Sequence, residues 1–184
     1  MAIHFRKPSD SDLDRLLARC RDDRLTYGPV GGSLGGATPD GFTRRAWSTT
    51  LVASDAFGRA AAALTSWAMH EHLGFTVRCD GPVAEGTNVA ITAPLPVGYA
   101  DVTCRIVAVV DEPDRSGFAY GTLSVHPEQG EEAFVVSRIG RAVRFDITAV
   151  SRHRHPLARL AAPLADRLQA SAAKRYLQAM ERLT

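Results

Sequence analysis

The sequence lacks long apolar runs and paired cysteines. None of its 184 residues lies in an uninterrupted apolar window of about 18, the length that a membrane-spanning helix needs. The first ten residues carry no apolar stretch behind their charges, so we expect neither a membrane span nor a secretory signal. The three cysteines, Cys20, Cys79 and Cys104, are far apart and form no Cys-x-x-Cys pair. This pattern is typical of reduced thiols in a cytoplasmic protein.

The short motifs that bind cofactors and metals are also missing. The glycines from Gly31 to Gly36 are followed by Ala-Thr-Pro, without the lysine of a phosphate-binding loop. No Gly-x-Ser-x-Gly elbow is present. His70 and His72 stand at i and i+2, which is not the His-Glu-x-x-His spacing of zinc hydrolases. We therefore expect no metal and no organic cofactor.

An excess of charge of one sign is absent as well. The chain has 22 Lys+Arg against 20 Asp+Glu, a formal net charge of +2, which does not indicate a nucleic-acid partner. The basic run from Arg152 to Arg159 has no aromatic stacking platform, so a solvated rim is the expectation. With 45% hydrophobic residues, the chain has enough apolar surface for one core. We predict a single small-molecule-binding domain over 1–184, whose oligomeric state the sequence does not indicate.

Periodicity predicts an α+β chain. Helices are expected over 9–22, 55–73 and 163–183, each with apolar residues at helical spacing. Gly74 is expected to stop the second of them, and a short helix over 156–162 is expected to precede the third. A strand precedes the second helix, and six strands follow it between Phe75 and Ser151 with short turns between them. Strands connected in this way pair antiparallel. The prediction is a strongly curved antiparallel sheet of about seven or more strands, with an N-terminal helix, one inserted helix and a long C-terminal helix. Such a sheet wraps around a helix, a cavity or both.

The densest group of reactive side chains lies on one predicted hairpin. Alternation along a strand places Phe118, Tyr120 and Thr122 on one face. If the chain turns back over Val125–Gly130, Glu132 and Phe134 return near Tyr120 and Thr122 as cross-strand neighbours, with His126 in the turn. A phenol, an imidazole and a carboxyl group in apolar surroundings can perform general acid/base catalysis. The other interpretation is a polar hairpin with a solvated pair of glutamates.

The same hairpin carries a family resemblance. The segments Tyr120-Gly-Thr-Leu, His126-Pro and Gly130-Glu-Glu-Ala-Phe resemble uncharacterised protein family 0548. Trp67 with His70, and the segments Val109–Pro113 and Gly117–Ala119, resemble it too, so that the likeness runs from about Tyr27 to Tyr176. The family is similar in layout to helix-grip folds of the START or pollen-allergen type. The resemblance therefore implies that the sheet closes into a barrel-like apolar cavity. It implies no activity.

These considerations give a candidate site. Glu132 is the expected general acid, His126 the base or relay, and Tyr120 a hydrogen-bond donor, although the residues do not fix which group is acid and which is base. The predicted substrate-binding residues are Thr122, Phe118, Phe134, Trp67, His70, Tyr27 and Ser151.

Two functions fit these residues. The first is a cofactor-independent cyclase or dehydratase that acts on a hydrophobic, polyketide-like metabolite by acid/base catalysis. Spiroacetal formation is a specific example, because it needs one proton donated and one removed. The second is a non-catalytic carrier of a lipid or secondary metabolite, since a polar cluster can bind a ligand hydroxyl as well as protonate it. The identity and stereochemistry of the substrate do not follow from the sequence.

Overall fold

The computed structural model describes residues 2–153 and 162–184, except for the side chains of 162–166 and 168. The described elements are eight strands, four α-helices and one 3-10 turn at Gly32–Leu34. The strands are β1 (Ala2–His4), β2 (Thr43–Leu51), β3 (Thr76–Cys79), β4 (Asn88–Pro94), β5 (Tyr99–Glu112), β6 (Arg115–Thr122), β7 (Glu128–Ile139) and β8 (Ala142–His153). The helices are α1 (Asp10–Cys20), α2 (Ala56–Thr65), α3 (Ala68–His72) and α4 (Ala162–Leu183).

All strands belong to one antiparallel sheet in the order β2-β8-β7-β6-β5-β4-β3. The short β1, which the periodicity did not predict, pairs with the start of β5. The expected closure into a barrel is wrong, because the end strands β2 and β3 are not paired with each other in the described part of the chain. Helices cover the inner face instead, so the sheet remains an open, α+β arrangement.

The single inserted helix of the prediction is two helices. Trp67 separates α2 from α3 and adopts a left-handed backbone with φ of 64°. No glycine or proline marks this break, which is why the apolar spacing looked continuous. The expected stop at Gly74 is confirmed, with φ of 81°.

Alternation along the strands produces the main core. Phe145, Ile147 and Ala149 of β8 are buried, whereas Arg144 is exposed, as the sequence predicts. Inner-face side chains of β5–β8 pack against α2, α3 and the described part of α4, where Tyr176 and Met180 are buried. This packing brings the inner face of the β6–β7 hairpin under the helices.

The first helix begins at a capping signal in its own sequence. Ser9 accepts a hydrogen bond from the Asp12 N–H and donates its own backbone N–H to the Asp12 carboxylate, a capping box that starts α1. The helix predicted at 156–162 lies outside the described residues, apart from Ala162, with which α4 begins. None of the described helices is long and apolar enough to cross a membrane.

Candidate functional site

The β6–β7 hairpin forms as predicted. Tyr120 is directly opposite Glu132, and Phe118 is opposite Phe134, so that all four side chains are on the inner face. Beyond the aromatic pair, the hairpin borders a cavity of about 60 Å³. Its lining consists of Tyr120, Thr122, His126, Glu128, Gly130, Glu131, Glu132, Ala149, Ser151 and Gln169. The structure thus brings the three predicted catalytic residues together with Thr122 and Ser151.

Glu132 is the ionisable centre of this cavity. Its Oε2 accepts a hydrogen bond of 3.1 Å from the Tyr120 hydroxyl. The pKa of Glu132 is raised from 4.5 to about 7, chiefly because the group is buried. The hydrogen bond from Tyr120 opposes this rise, and the nearby Glu128 carboxylate adds to it. At neutral pH this side chain is therefore present both as acid and as carboxylate.

His126 is held in one tautomer by the backbone. Its Nδ1 accepts a hydrogen bond of 3.1 Å from the Glu128 N–H, so the neutral ring carries its proton on Nε2. Burial lowers the pKa of His126 to about 4. The ring is consequently neutral at pH 7, and its Nε2–H, which has no partner among the described residues, is suited to donating a hydrogen bond. This geometry disfavours the general-base role considered for His126.

Thr122 and Ser151 are buried at the cavity wall. The Thr122 hydroxyl accepts a hydrogen bond of 3.0 Å from the Gly130 N–H and lies 2.6 Å from the Thr26 hydroxyl. Thr122 therefore fixes the turn as much as it lines the cavity. Ser151 is opposite Gly130 on β8, with no side-chain partner among the described residues.

The remaining inner-face residues pack as an aromatic wall, defined here as Trp67, Phe118, Phe134 and Tyr176 around His70. His70 is fully buried, with ring-centroid distances of 5.0 Å to Trp67, 5.3 Å to Phe134 and 5.0 Å to Tyr176. Neither His70 ring nitrogen has a hydrogen-bond partner among the described residues. Burial lowers the pKa of His70 to about 3, so the ring is neutral. These side chains fill the space where the resemblance implied a large apolar cavity.

Tyr27 lies on the opposite face of the sheet. Its hydroxyl donates a hydrogen bond of 2.7 Å to Glu131, which also accepts hydrogen bonds from the Gly31 N–H and the Ser33 N–H. Tyr27 lies against Gly121, where a Cβ atom would overlap its ring. The structure does not bring Tyr27 to the cavity together with Tyr120 and Glu132.

The sequence analysis did not identify Glu131 as the carboxylate that accepts hydrogen bonds from the segment around Tyr27. Period-two alternation was the available signal, because the side chains of neighbouring residues on a strand point to opposite faces, which gives Glu131 and Glu132 different hydrogen-bond partners. Gln169, which lines the cavity from α4, was also missed, since no local pattern distinguishes it from other polar helix residues. No group of three or more His, Cys, Asp or Glu side chains suited to a metal ion occurs in the described part of the chain.

Comparison with known proteins identifies the family. The model of a domain of unknown function, DUF1990, matches residues 26–179. The chain belongs to this family. A UPF0548 protein of Deinococcus radiodurans is 33% identical over 193 aligned residues, covering 97% of this chain and 96% of that protein. The resemblance to protein family 0548 is therefore confirmed.

Solved structures show the same helix-grip layout as this DUF1990 chain. Ara h 8.0201 superposes with a TM-score of 0.56 at 13% identity, covering 77% of this chain and 96% of the other. A Thalictrum norcoclaurine synthase mutant, in complex with a transition-state analogue, gives a TM-score of 0.52 at 12% identity, covering 78% of this chain and 97% of the other. At such identities the likeness concerns the fold alone.

Proposed function

We propose that this DUF1990 protein is a cofactor-independent enzyme that uses Glu132 for proton transfer to or from an oxygen of a hydrophobic metabolite. The observation that carries the proposal is the Tyr120–Glu132 pair at a small cavity, with the Glu132 pKa raised to about 7. A general acid or base is most effective when its pKa is near the working pH. Cyclisation and dehydration are reactions that such a group can assist without a redox centre.

The surrounding donors suit an oxygen that changes its charge during the reaction. The Tyr120 hydroxyl and the Nε2–H of His126 both belong to the cavity lining, and neither is a strong base at neutral pH. Hydrogen-bond donors fixed before the reaction stabilise developing negative charge on oxygen. In spiroacetal closure, Glu132 would protonate the departing hydroxyl of a hemiacetal, and its carboxylate would later accept the proton of the incoming alcohol.

Cavity size limits which part of the substrate reacts here. A volume of about 60 Å³ is far below the 300–1,000 Å³ that is typical of pockets enclosing a whole drug-sized molecule. We infer that the cavity receives the reacting oxygen and its nearest carbons. The apolar remainder would extend outward past Gln169, which lines the cavity from α4.

The structural comparison supports an enzyme without identifying the reaction. Norcoclaurine synthase shows that the helix-grip fold can hold a transition-state analogue. A carrier of lipids or secondary metabolites is the second candidate. The lining of the inner-face cavity is compatible with it, because the hydroxyl groups of Tyr120 and Thr122 can bind a ligand hydroxyl without any reaction.

A conversion assay separates the two candidates. Purified protein is incubated with the metabolites that accumulate in a strain from which its gene has been deleted, and products and protein-bound molecules are analysed by mass spectrometry. We expect conversion, and a loss of at least about a hundredfold in turnover for Glu132→Gln with an unchanged circular dichroism spectrum. Glu112→Gln is the matched control, because it removes a carboxylate that is exposed, pairs with Arg115 and does not line the cavity. Full activity of Glu132→Gln contradicts the enzyme proposal, and binding without conversion by the unmodified protein favours the carrier.

A further inference from the structure

A second and larger concavity lies at the N-terminal edge of the sheet. This N-terminal cleft has a volume of about 750 Å³. Its lining comes from β1, from α1 with the segment before it, and from the start of β5: Ala2, His4, Phe5, Arg6, Lys7, Pro8, Ser9, Asp12, Arg15, Leu16, Arg19 and Asp101. The residues of the inner-face cavity are not among them.

The N-terminal cleft is cationic. Arg6, Lys7, Arg15 and Arg19 are all exposed and line it. Arg15 has a partner, because its guanidinium contacts the Asp12 carboxylate at 2.5 Å. Arg6, Lys7 and Arg19 form no ion pair among the described residues, so their donors are available to a bound anion.

A histidine is fixed at the wall of this cleft by a buried carboxylate. His4 Nε2 lies 2.7 Å from Asp101 Oδ2, and the Thr92 hydroxyl donates a hydrogen bond of 2.7 Å to Asp101 Oδ1. The Asp101 side chain is only 5% exposed, whereas that of His4 is 42% exposed. A carboxylate that orients an imidazole leaves the second ring nitrogen free for a ligand. No described residue occupies the Nδ1 atom of His4.

Apolar side chains surround the same edge and project into solvent. Phe5 is 88% exposed, and Val97 of the β4–β5 turn is 71% exposed. The turn packs against β1, since a Cβ atom at Gly98 would lie 3.5 Å from the Phe5 Cα. Ile3 on β1 is 59% exposed. Exposed apolar groups beside a basic surface are typical of contact with an amphiphilic ligand.

We propose that the N-terminal cleft binds the phosphate group of an anionic amphiphile, with the apolar part of that ligand against Phe5 and Val97. Guanidinium and ammonium donors of Arg6, Lys7 and Arg19 contact phosphate oxygens, and the His4 ring, oriented by Asp101, lines the same cleft. The phosphate comes either from a phospholipid headgroup in a membrane surface or from a soluble phosphate ester. This site is independent of the acid/base chemistry proposed for Glu132.

Two probes distinguish the sources of the phosphate. Glycerol 3-phosphate, measured by calorimetry, tests the anion site alone. Sedimentation with vesicles of phosphatidylcholine, with or without about a third of phosphatidylglycerol, tests binding at a charged membrane surface. We expect binding of the soluble ester and, because of the exposed apolar groups, stronger association with the anionic vesicles that weakens as salt is added.

Variants test whether this cleft is responsible. The Arg6→Gln/Lys7→Gln double variant should weaken binding of whichever probe binds by at least about tenfold, since each basic group near an anionic surface contributes about fivefold. Arg59→Gln/Lys174→Gln is the matched control, because it removes one arginine and one lysine that are exposed and do not line the cleft. Phe5→Ser should weaken vesicle binding while leaving glycerol 3-phosphate binding unchanged.

Each outcome decides the proposal. Charge-dependent vesicle binding that Phe5→Ser reduces supports a phospholipid source. Binding of glycerol 3-phosphate alone, reduced by the Arg6/Lys7 variant, supports the site with a soluble ester as the source. Absence of binding to both probes, or equal losses in the cleft variant and its control, overturns the proposal.

Discussion

Two neighbouring carboxylates on β7 occupy opposite faces of the sheet and have opposite surroundings. On the outer face, Glu131 is buried and accepts three hydrogen bonds, from Tyr27, Gly31 and Ser33. On the inner face, Glu132 accepts one from the described residues, that of Tyr120, and borders a cavity. A carboxylate that accepts several hydrogen bonds fixes the segments that donate them. A carboxylate with a single donor and an adjacent cavity is available to a reactant.

A third buried group, His70 of α3, packs over the inner face of the sheet and has no hydrogen-bond partner among the described residues. The ring nitrogens of His70 have no partner among the described residues, and the surrounding side chains are aromatic. Desolvation therefore acts on it without compensation. The three side chains form a series of decreasing hydrogen bonding from Glu131 through Glu132 to His70, and each step of this series predicts a different response to mutation.

The largest effect is expected at Glu131. Glu131→Ala leaves the Tyr27 hydroxyl and two backbone N–H groups without their acceptor and should reduce the free energy of unfolding by about 3–5 kcal/mol. Denaturant titration measures this change. Glu112→Ala is the control, because Glu112 forms only an exposed ion pair with Arg115 and should cost at most about 1 kcal/mol. Equal losses in both variants would show that the three hydrogen bonds add no stability.

The next effect is a pH-dependent difference between Glu132→Gln and the unmodified protein. Because the folded pKa of Glu132 is raised from 4.5 to about 7, its favourable contribution is complete below pH 4.5 and is lost as pH rises through 7. Relative to its value at pH 4, the variant should therefore gain up to about 3 kcal/mol over the unmodified protein by pH 8.

The difference in stability between Glu132→Gln and the unmodified protein excludes the contributions of other titrating groups. His70 and His126 have lowered pKa values and lose stability as pH falls below 6.5, the direction opposite to that of Glu132. Both histidines are present in the two proteins, so their contributions cancel. A difference that is constant between pH 4 and 8 would contradict the raised pKa of Glu132.

A smaller effect is expected from His70→Leu. Leucine removes two unpartnered nitrogens from the aromatic wall, a gain of about 1–3 kcal/mol, and forfeits part of the ring-edge contacts, so a net stabilisation of about 1 kcal/mol remains. Thermal and denaturant unfolding at pH 7 measure it. The exposed neighbour His72→Leu should change stability by less than about 0.5 kcal/mol. Destabilisation by His70→Leu beyond about 2 kcal/mol would mean that His70 has a hydrogen-bond partner in solution.

The smallest effects are expected on the pKa of Glu132 itself. Glu128→Gln removes a negative charge and should lower the pKa of Glu132, whereas Tyr120→Phe removes the hydrogen bond to the carboxylate and should raise it. Carbon-13 NMR titration of the Glu132 carboxyl group follows both shifts without a substrate. Shifts in the same direction in the two variants would refute this account of the site.

Much of the hairpin could be predicted from the sequence, because its signals are local. Period-two alternation and the predicted turn between Val125 and Gly130 were enough to bring Glu132 near Tyr120. The exact register, with Tyr120 opposite Glu132, follows from the structure. The break at Trp67 could not be predicted, since a left-handed backbone at a tryptophan is enforced by packing rather than by its own preference. The pairing of β1 with β5 was missed because three residues carry too little periodicity.

The sequence by itself determined which residues share a strand face and which reactive groups lie on one hairpin. It also determined where α1 begins, through its capping residue, and where α3 ends, just before Gly74. Only the tertiary structure decided that a loop about a hundred residues earlier donates hydrogen bonds to Glu131. It also decided that the sheet stays open and that aromatic rings cover its inner face. The physical reason is the distance along the sequence over which each effect acts. Alternation and capping depend on neighbours within a few residues, whereas desolvation, donor supply and cavity volume depend on segments that meet only after folding.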